Sequence, residues 1–229
     1  MSITVRRYIF YTIWFFIILS GPITVFRNTS AESFFSSSIV MTNTFQRLTG
    51  LLAFSLIFIQ IALGAHMNRF IQIIGAKAYR IHTLQGLVTY GFMFVHPLFQ
   101  NIIVYQVSKS FTESLLVFVP SMGSQRDVLL VFGRMAFLLG TISVIAAYFR
   151  TKSFFRRNWR AFHILNYLVF YLVFYHARVG SDLASQPFDL VYWAAFIFVS
   201  GTIFYRFTFR LVKKFIPVRA VNEKLPTQK

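Results

Sequence analysis

Apolar residues run along this chain in six long stretches separated by short polar breaks. They are roughly Tyr8–Phe26, Leu48–Ala65, Ile81–Tyr105, Val128–Phe149, Ala161–Ala177 and Phe188–Phe209. Each run is continuously apolar rather than alternating, which argues against the strands of an outer-membrane barrel and for membrane-spanning helices. A hydrocarbon core ~30 Å thick takes about 20 apolar residues of helix, so each run is a candidate span. The breaks carry Gly, Ser, Asn, Pro or charge, as loops do, and neither an internal repeat nor a low-complexity segment interrupts them. The first run follows Arg6 and Arg7 and meets Ser20-Gly21-Pro22, which resembles the flanks of a signal peptide. Apolar residues continue past Pro22 to Phe26, which favours a kinked first span.

Composition narrows the class without changing that picture. Of 229 residues 56% are hydrophobic and only 13% charged, too few charges to cover a soluble domain of this size. The expected fold class is therefore all-α. It is a polytopic six-transmembrane-helix bundle over residues 1–212, followed by a basic cytoplasmic tail over 213–229. The net charge of +17 lies between apolar runs rather than on one soluble face, so no nucleic-acid partner is expected. The chain contains no cysteine, which excludes disulfides, thiolate-ligated haem and cysteine-ligated iron–sulfur clusters.

Charge sets direction. With the N-terminus inside, the inner segments hold Arg6 and Arg7, then Arg69, Lys77 and Arg80, then Arg150, Lys152, Arg156, Arg157 and Arg160, and finally the basic tail. The outer segments hold only Arg27, Arg47, Lys109, Arg126 and Arg178. Cytoplasmic loops carry the excess of Lys and Arg, so both termini are expected in the cytoplasm of a multi-pass cell-membrane protein. Spans three and five then run parallel, from inside to outside.

Those two spans carry four of the five histidines. His82 follows Arg80 by two residues and His163 follows Arg160 by three, so both sit at the inner ends of their spans. His96 lies fourteen residues beyond His82, about 21 Å outward, and His176 thirteen beyond His163, about 20 Å outward. The four imidazoles thus form two pairs matched in depth. Ionisable side chains are costly inside a membrane and face a functional interior. An imidazole from each of two facing helices supplies the axial ligands of a six-coordinate haem iron, and two such haems form an electron relay across the bilayer. Fourteen residues return to within about 40° of the same helix face, whereas thirteen leave the side chains about 140° apart. Either span five is irregular or its two histidines approach from different sides. His66 has no partner of this kind and reads as a surface residue.

Haem propionates call for cations where water is scarce. Arg47 and Arg134 are candidates on the outer side, Arg80 and Arg160 on the inner. For Arg134, snorkelling to the surface is the competing explanation. Arg156, Arg157 and Arg160 read first as topogenic charge, with a dock for an acidic electron donor as the alternative. Gly86 and Gly91 on the ligand helix allow close helix packing or admit a flat macrocycle. The outer loop Gln106–Asp127, with Leu115–Pro120 inside it, either folds over the outer pair or lies at the interface. The abundant aromatics read as packing bulk, without a redox role.

These residues resemble the ferric reductase-like transmembrane domain shared by NADPH oxidases, ferric reductases and bacterial relatives. The matching pieces are QRLTGLLAF, YRIHTLQG, FVHP, NWRAFHILNYL, FYHA and GSDL, spread over most of residues 45–212. The resemblance implies two b-type haems, with His82 and His163 on the inner one and His96 and His176 on the outer. It also places an arginine near the outer haem at Arg47. The related haem membrane subunit of a periplasmic methionine sulfoxide reductase system lacks the first of these histidines, so His82 points to the two-haem members. Oxidase and reductase members continue into flavin-binding and nicotinamide-binding domains. Here the last run is followed by a tail ending PVRAVNEKLPTQK, with no Gly-rich dinucleotide fingerprint. Electrons are then expected from a separate flavoprotein on the inner face or from a quinol, unless the chain is split or truncated.

The function implied is a dihaem oxidoreductase passing electrons from a cytosolic donor to an outer acceptor: ferric iron, oxygen or a partner protein. A haem-binding membrane anchor of a larger redox complex is the alternative, and a haem-free, channel-like bundle is a third.

Overall fold

The computed structural model describes residues 1–215, with side chains as far as Thr208. The basic tail lies almost wholly outside them. All regular structure among the described residues is helical. The elements are α1 (Ile3–Arg27), α2 (Ala31–Ser36), α3 (Ser38–Ala65), α4 (Met67–Ile74), α5 (Lys77–Ser108), α6 (Phe111–Leu116), α7 (Gln125–Tyr148), α8 (Ser153–His176) and α9 (Phe188–Phe215). Two 3₁₀ turns, Ala177–Val179 and Ser181–Ala184, join α8 to α9.

Local chemistry sets the ends. Serines at 2, 30, 37, 110 and 124 cap α1, α2, α3, α6 and α7 by accepting a backbone N–H three residues on. Gly75, at φ +69°, turns the chain from α4 into α5, and Lys109 at φ 58° ends α5 in the left-handed conformation. Helix α1 continues through Pro22. Within the spans, Thr44, Thr89 and Thr141 return their hydroxyls to the carbonyl four residues back, which satisfies these three within their own helices.

Among the described residues, five helices are long and apolar enough to cross a membrane: α1, α3, α5, α7 and the part of α9 spanning Phe188–Thr208. Helix α8 is as long as α7, but its first two turns hold Arg156, Arg157, Asn158 and Arg160. Its apolar part, from Ala161, covers only about 24 Å of rise.

Cross-helix contacts fix relative directions. Arg7 donates to the Ile73 carbonyl and Trp14 to Gln85, while Asn28 donates to Asp182. Gln60 donates to the His82 carbonyl, Ser143 of α7 to the Phe162 carbonyl of α8, and Arg206 to the Ala65 carbonyl. Consecutive long helices therefore alternate in direction, with α5 and α8 parallel. The described N-terminus, the α4 joint and the last turns of α9 share one end.

The core is built from aromatic rings where α3, α8 and α9 meet, centred on Phe54, Phe170, Phe174, Phe188 and Tyr192. Phe174 and Tyr192 stack at 4.2 Å. Helix α3 is the most enclosed of the spans, whereas α5 is largely open. Helix α5 packs on α3 and α8 on α7, so the two histidine-bearing helices meet mainly through side chains.

Candidate functional site

Two histidine pairs bridge α5 and α8. The ring centres of His82 and His163 lie 6.0 Å apart with their planes at 80°. Those of His96 and His176 also lie 6.0 Å apart, with planes at 81°. All four lie at the depths their sequence positions set, two near one end of the bundle and two about 21 Å along α5.

The thirteen-residue spacing is accommodated without a break in α8, which is continuous α-helix through His176. Its two rings instead leave by different faces. His176 turns against α7, where its Nδ1 lies 3.0 Å from the Leu129 carbonyl. Both α5 imidazoles lean on α3, as the fourteen-residue spacing requires: His96 against Gly50 and His82 against Gly64.

Three glycines make room for the rings. A methyl group on Gly50 would sit 2.8 Å from His96 Cε1, and one on Gly64 3.2 Å from His82 Cε1. One on Gly133 would sit 2.6 Å from His176 Nδ1. Gly50 and Gly64 are fourteen apart on α3 and repeat, antiparallel, the interval of the histidines they receive. That repeat is a sequence signal, readable only once α3 is known to face α5. The glycines singled out from sequence do other things. A methyl group on Gly86 would sit 3.3 Å from the Gln60 amide nitrogen, and one on Gly91, between the two rings on α5, would face open space.

Hydrogen bonds orient the outer pair. His96 Nδ1 lies 2.9 Å from the Gln46 carbonyl. A carbonyl can only accept, so the Nδ1–H of both His96 and His176 donates, and each Nε2 keeps its lone pair for a metal. The inner pair is held less firmly. His163 Nδ1 has the Asn166 side-chain amide at 3.3 Å, and His82 Nδ1 is buried without a partner.

The separation of the paired rings has a simple chemical counterpart. A metal about 2 Å from each of two imidazole nitrogens, with each ring centre about 1.1 Å further back, puts the centres about 6 Å apart. Both pairs match this. Among the described residues no three His, Cys, Asp or Glu side chains cluster to cage a metal ion. Two axial imidazoles suit an iron whose remaining ligands come from a macrocycle.

The four candidate arginines diverge. Arg47 is committed elsewhere: Nε and Nη2 each donate to Asp182 at 2.6 Å, and Nη1 donates to Thr29 at 2.8 Å. Arg134 stands one residue from Gly133, beside the outer pair. Its Nε and Nη2 donate to the Val117 carbonyl, and its Nη1 is buried with no partner. This bond draws the outer loop back over α7, with α6 tied to α5 through Asn101 and the Ser114 carbonyl. Arg80 and Arg160 are exposed beside the inner pair, Arg160 over the Trp159 ring. His66 sits at the joint of α3 and α4, 3.4 Å from the Thr202 hydroxyl and edge-on to Phe198. Burial first, then Arg69 and Arg206, lower its pKa from the ordinary histidine value.

Compared with known proteins, the chain matches no family model, no curated protein and no solved structure.

Proposed function

We propose that this chain is a dihaem b-type electron carrier of the ferric reductase-like kind, with six spans, both termini in the cytoplasm and α8 as the fifth span. One observation carries the reading: two imidazole pairs on parallel helices, each at the separation that an axially ligated iron requires, stacked about 21 Å apart along the bundle. Two haems so held supply a one-electron relay from a cytosolic donor to an acceptor on the far side.

The chain's own residues give that relay its shape. His82 and His163 hold the inner position, and His96 and His176 the outer. The Gln46 and Leu129 carbonyls keep the outer Nε2 atoms unprotonated and aimed inward. Arg134 Nη1, buried and unpaired, suits a propionate and is the outer anion partner we favour. Arg47 supports the site indirectly, because its ion pair fixes the α3 turn whose Gln46 carbonyl receives His96. At the inner end Arg80, Arg156, Arg157 and Arg160 are exposed, a basic surface for an acidic flavoprotein donor. A flavin enters only through such a partner, and a quinol is the other candidate donor.

The test is a reduced-minus-oxidised spectrum of purified protein with its haem-to-protein ratio. Two b-type haems per chain are expected. A ratio near zero would exclude the relay and favour a haem-free bundle. A ratio near one would mean that one pair is not a ligand pair. Reduction of small outer acceptors by the isolated chain separates an oxidoreductase from a membrane anchor, which would need its partner subunit.

A further inference from the structure

A cavity among the described residues lies away from the histidines. It is a groove of about 620 Å³ between α1, α3, α4 and α9, opening at the end of the bundle that holds His82. Ile13 and Ile17 of α1, Phe58 of α3 and Phe198 of α9 form its walls, and Arg6 and Arg69 lie at its mouth. No acidic side chain lines it. Among the described residues neither arginine has a carboxylate partner, since the ion pair there joins Arg47 to Asp182. The neighbouring Arg7 donates to the Ile73 carbonyl, which pins the start of α1 onto α4 and shapes the groove's end.

We infer that this groove holds one anionic phospholipid from the cytoplasmic leaflet, its phosphate between Arg6 and Arg69 and an acyl chain along α1. Two arguments select this occupant. Eleven residues from Arg6 to Ile17 give a depth of about 16 Å, close to half of a ~30 Å hydrocarbon core. Charge is confined to the mouth, and the depth is apolar, as in a lipid with one ionised end. A quinol fits less well. Its ring needs polar groups at depth, and the deep indole N–H of Trp14 is already donated to Gln85. The inference rests on the proposed orientation, with the start of α1 on the cytoplasmic side of a membrane, but not on haem, and it goes beyond the relay.

The test is native mass spectrometry of the full chain supplied with equal mole fractions of phosphatidylglycerol and phosphatidylcholine. Retention of phosphatidylglycerol is expected to exceed that of phosphatidylcholine at least about fivefold. The Arg6→Gln/Arg69→Gln double variant should bring the ratio near one, and Arg6→Lys/Arg69→Lys should keep the preference. Ile13→Trp, which fills the groove, should remove both lipids. Equal retention by the wild type, or a preference untouched by the glutamine variant, would overturn the inference. So would a co-purifying quinone that Ile13→Trp displaces. Haem content measured on the same samples keeps the two readings apart: haem-free protein that still prefers phosphatidylglycerol counts against the relay and for the lipid site.

Discussion

At the scale of single residues, the three ring-seating glycines make the sharpest prediction. Gly133→Ala puts a methyl 2.6 Å from His176 Nδ1, and Gly50→Ala puts one 2.8 Å from His96 Cε1. Neither ring can yield without leaving its carbonyl partner, so under the proposed dihaem reading each variant should drop the haem-to-protein ratio from two to about one. Gly64→Ala meets His82 at 3.2 Å, and that ring has no Nδ1 bond to break, so a smaller loss at the inner position is expected. Gly91→Ala, facing open space, should leave both haems in place. Equal spectra for Gly133→Ala and Gly91→Ala would mean that His176 does not need its present position. The histidines themselves were legible in the sequence because depth in a membrane can be counted from the charged ends of each span. Their seats were not, because a glycine's partner lies on another helix and depends on how that helix is rotated.

At the scale of elements, the outer end is locked by one buried ion pair. Asp182, on a 3₁₀ turn after α8, accepts two bonds from Arg47 of α3 and one from Asn28 at the end of α1. The sequence reading matched Arg47 to an implied propionate. The carboxylate it meets lies 135 residues away, a pairing that no local pattern announces. Removing one partner strands the other charge, so Asp182→Ala is expected to cost about 3 kcal/mol, read from thermal loss of helicity. Under the proposed dihaem reading it should also release the outer haem before the inner, because the Gln46 carbonyl adjoins Arg47.

The same pair sets a pH limit. Burial alone would raise the Asp182 pKa, but the bonds from Arg47 and Asn28 outweigh it and hold the carboxyl below its ordinary 3.8. A depressed folded value stabilises fully above the unfolded one and is lost as pH falls through the folded one. Wild-type stability should therefore be insensitive to this group from pH 7 to 5. Below about pH 4 it should fall more steeply than that of Asp182→Asn. Parallel acid limbs in the two proteins would show that the pair does not contribute.

At the scale of the whole molecule, the proposed relay turns on α8 crossing the membrane. Six apolar runs were readable from the sequence, and six long helices are present, but only five satisfy length and hydropathy together. Helix α8 falls short because Arg156, Arg157 and Arg160 occupy its first turns, leaving about 24 Å of apolar rise for a ~30 Å core. Long arginine stems can cover the difference by reaching to the interface. The alternating helix directions and the pairing of α8 with α5 at two depths both require a crossing if α5 crosses. Because the chain has no cysteine, each introduced cysteine is a unique reporter of sidedness. Thr151 precedes α8 and Ser185 follows it, at opposite ends of the bundle. In intact cells a membrane-impermeant maleimide should label Ser185→Cys and Ser121→Cys but not Thr151→Cys, which should react only after permeabilisation. Labelling of Thr151→Cys and Ser185→Cys from the same side would place α8 along the membrane surface. His163 and His176 would then lie at one depth, and a two-level relay with α5 would be geometrically impossible.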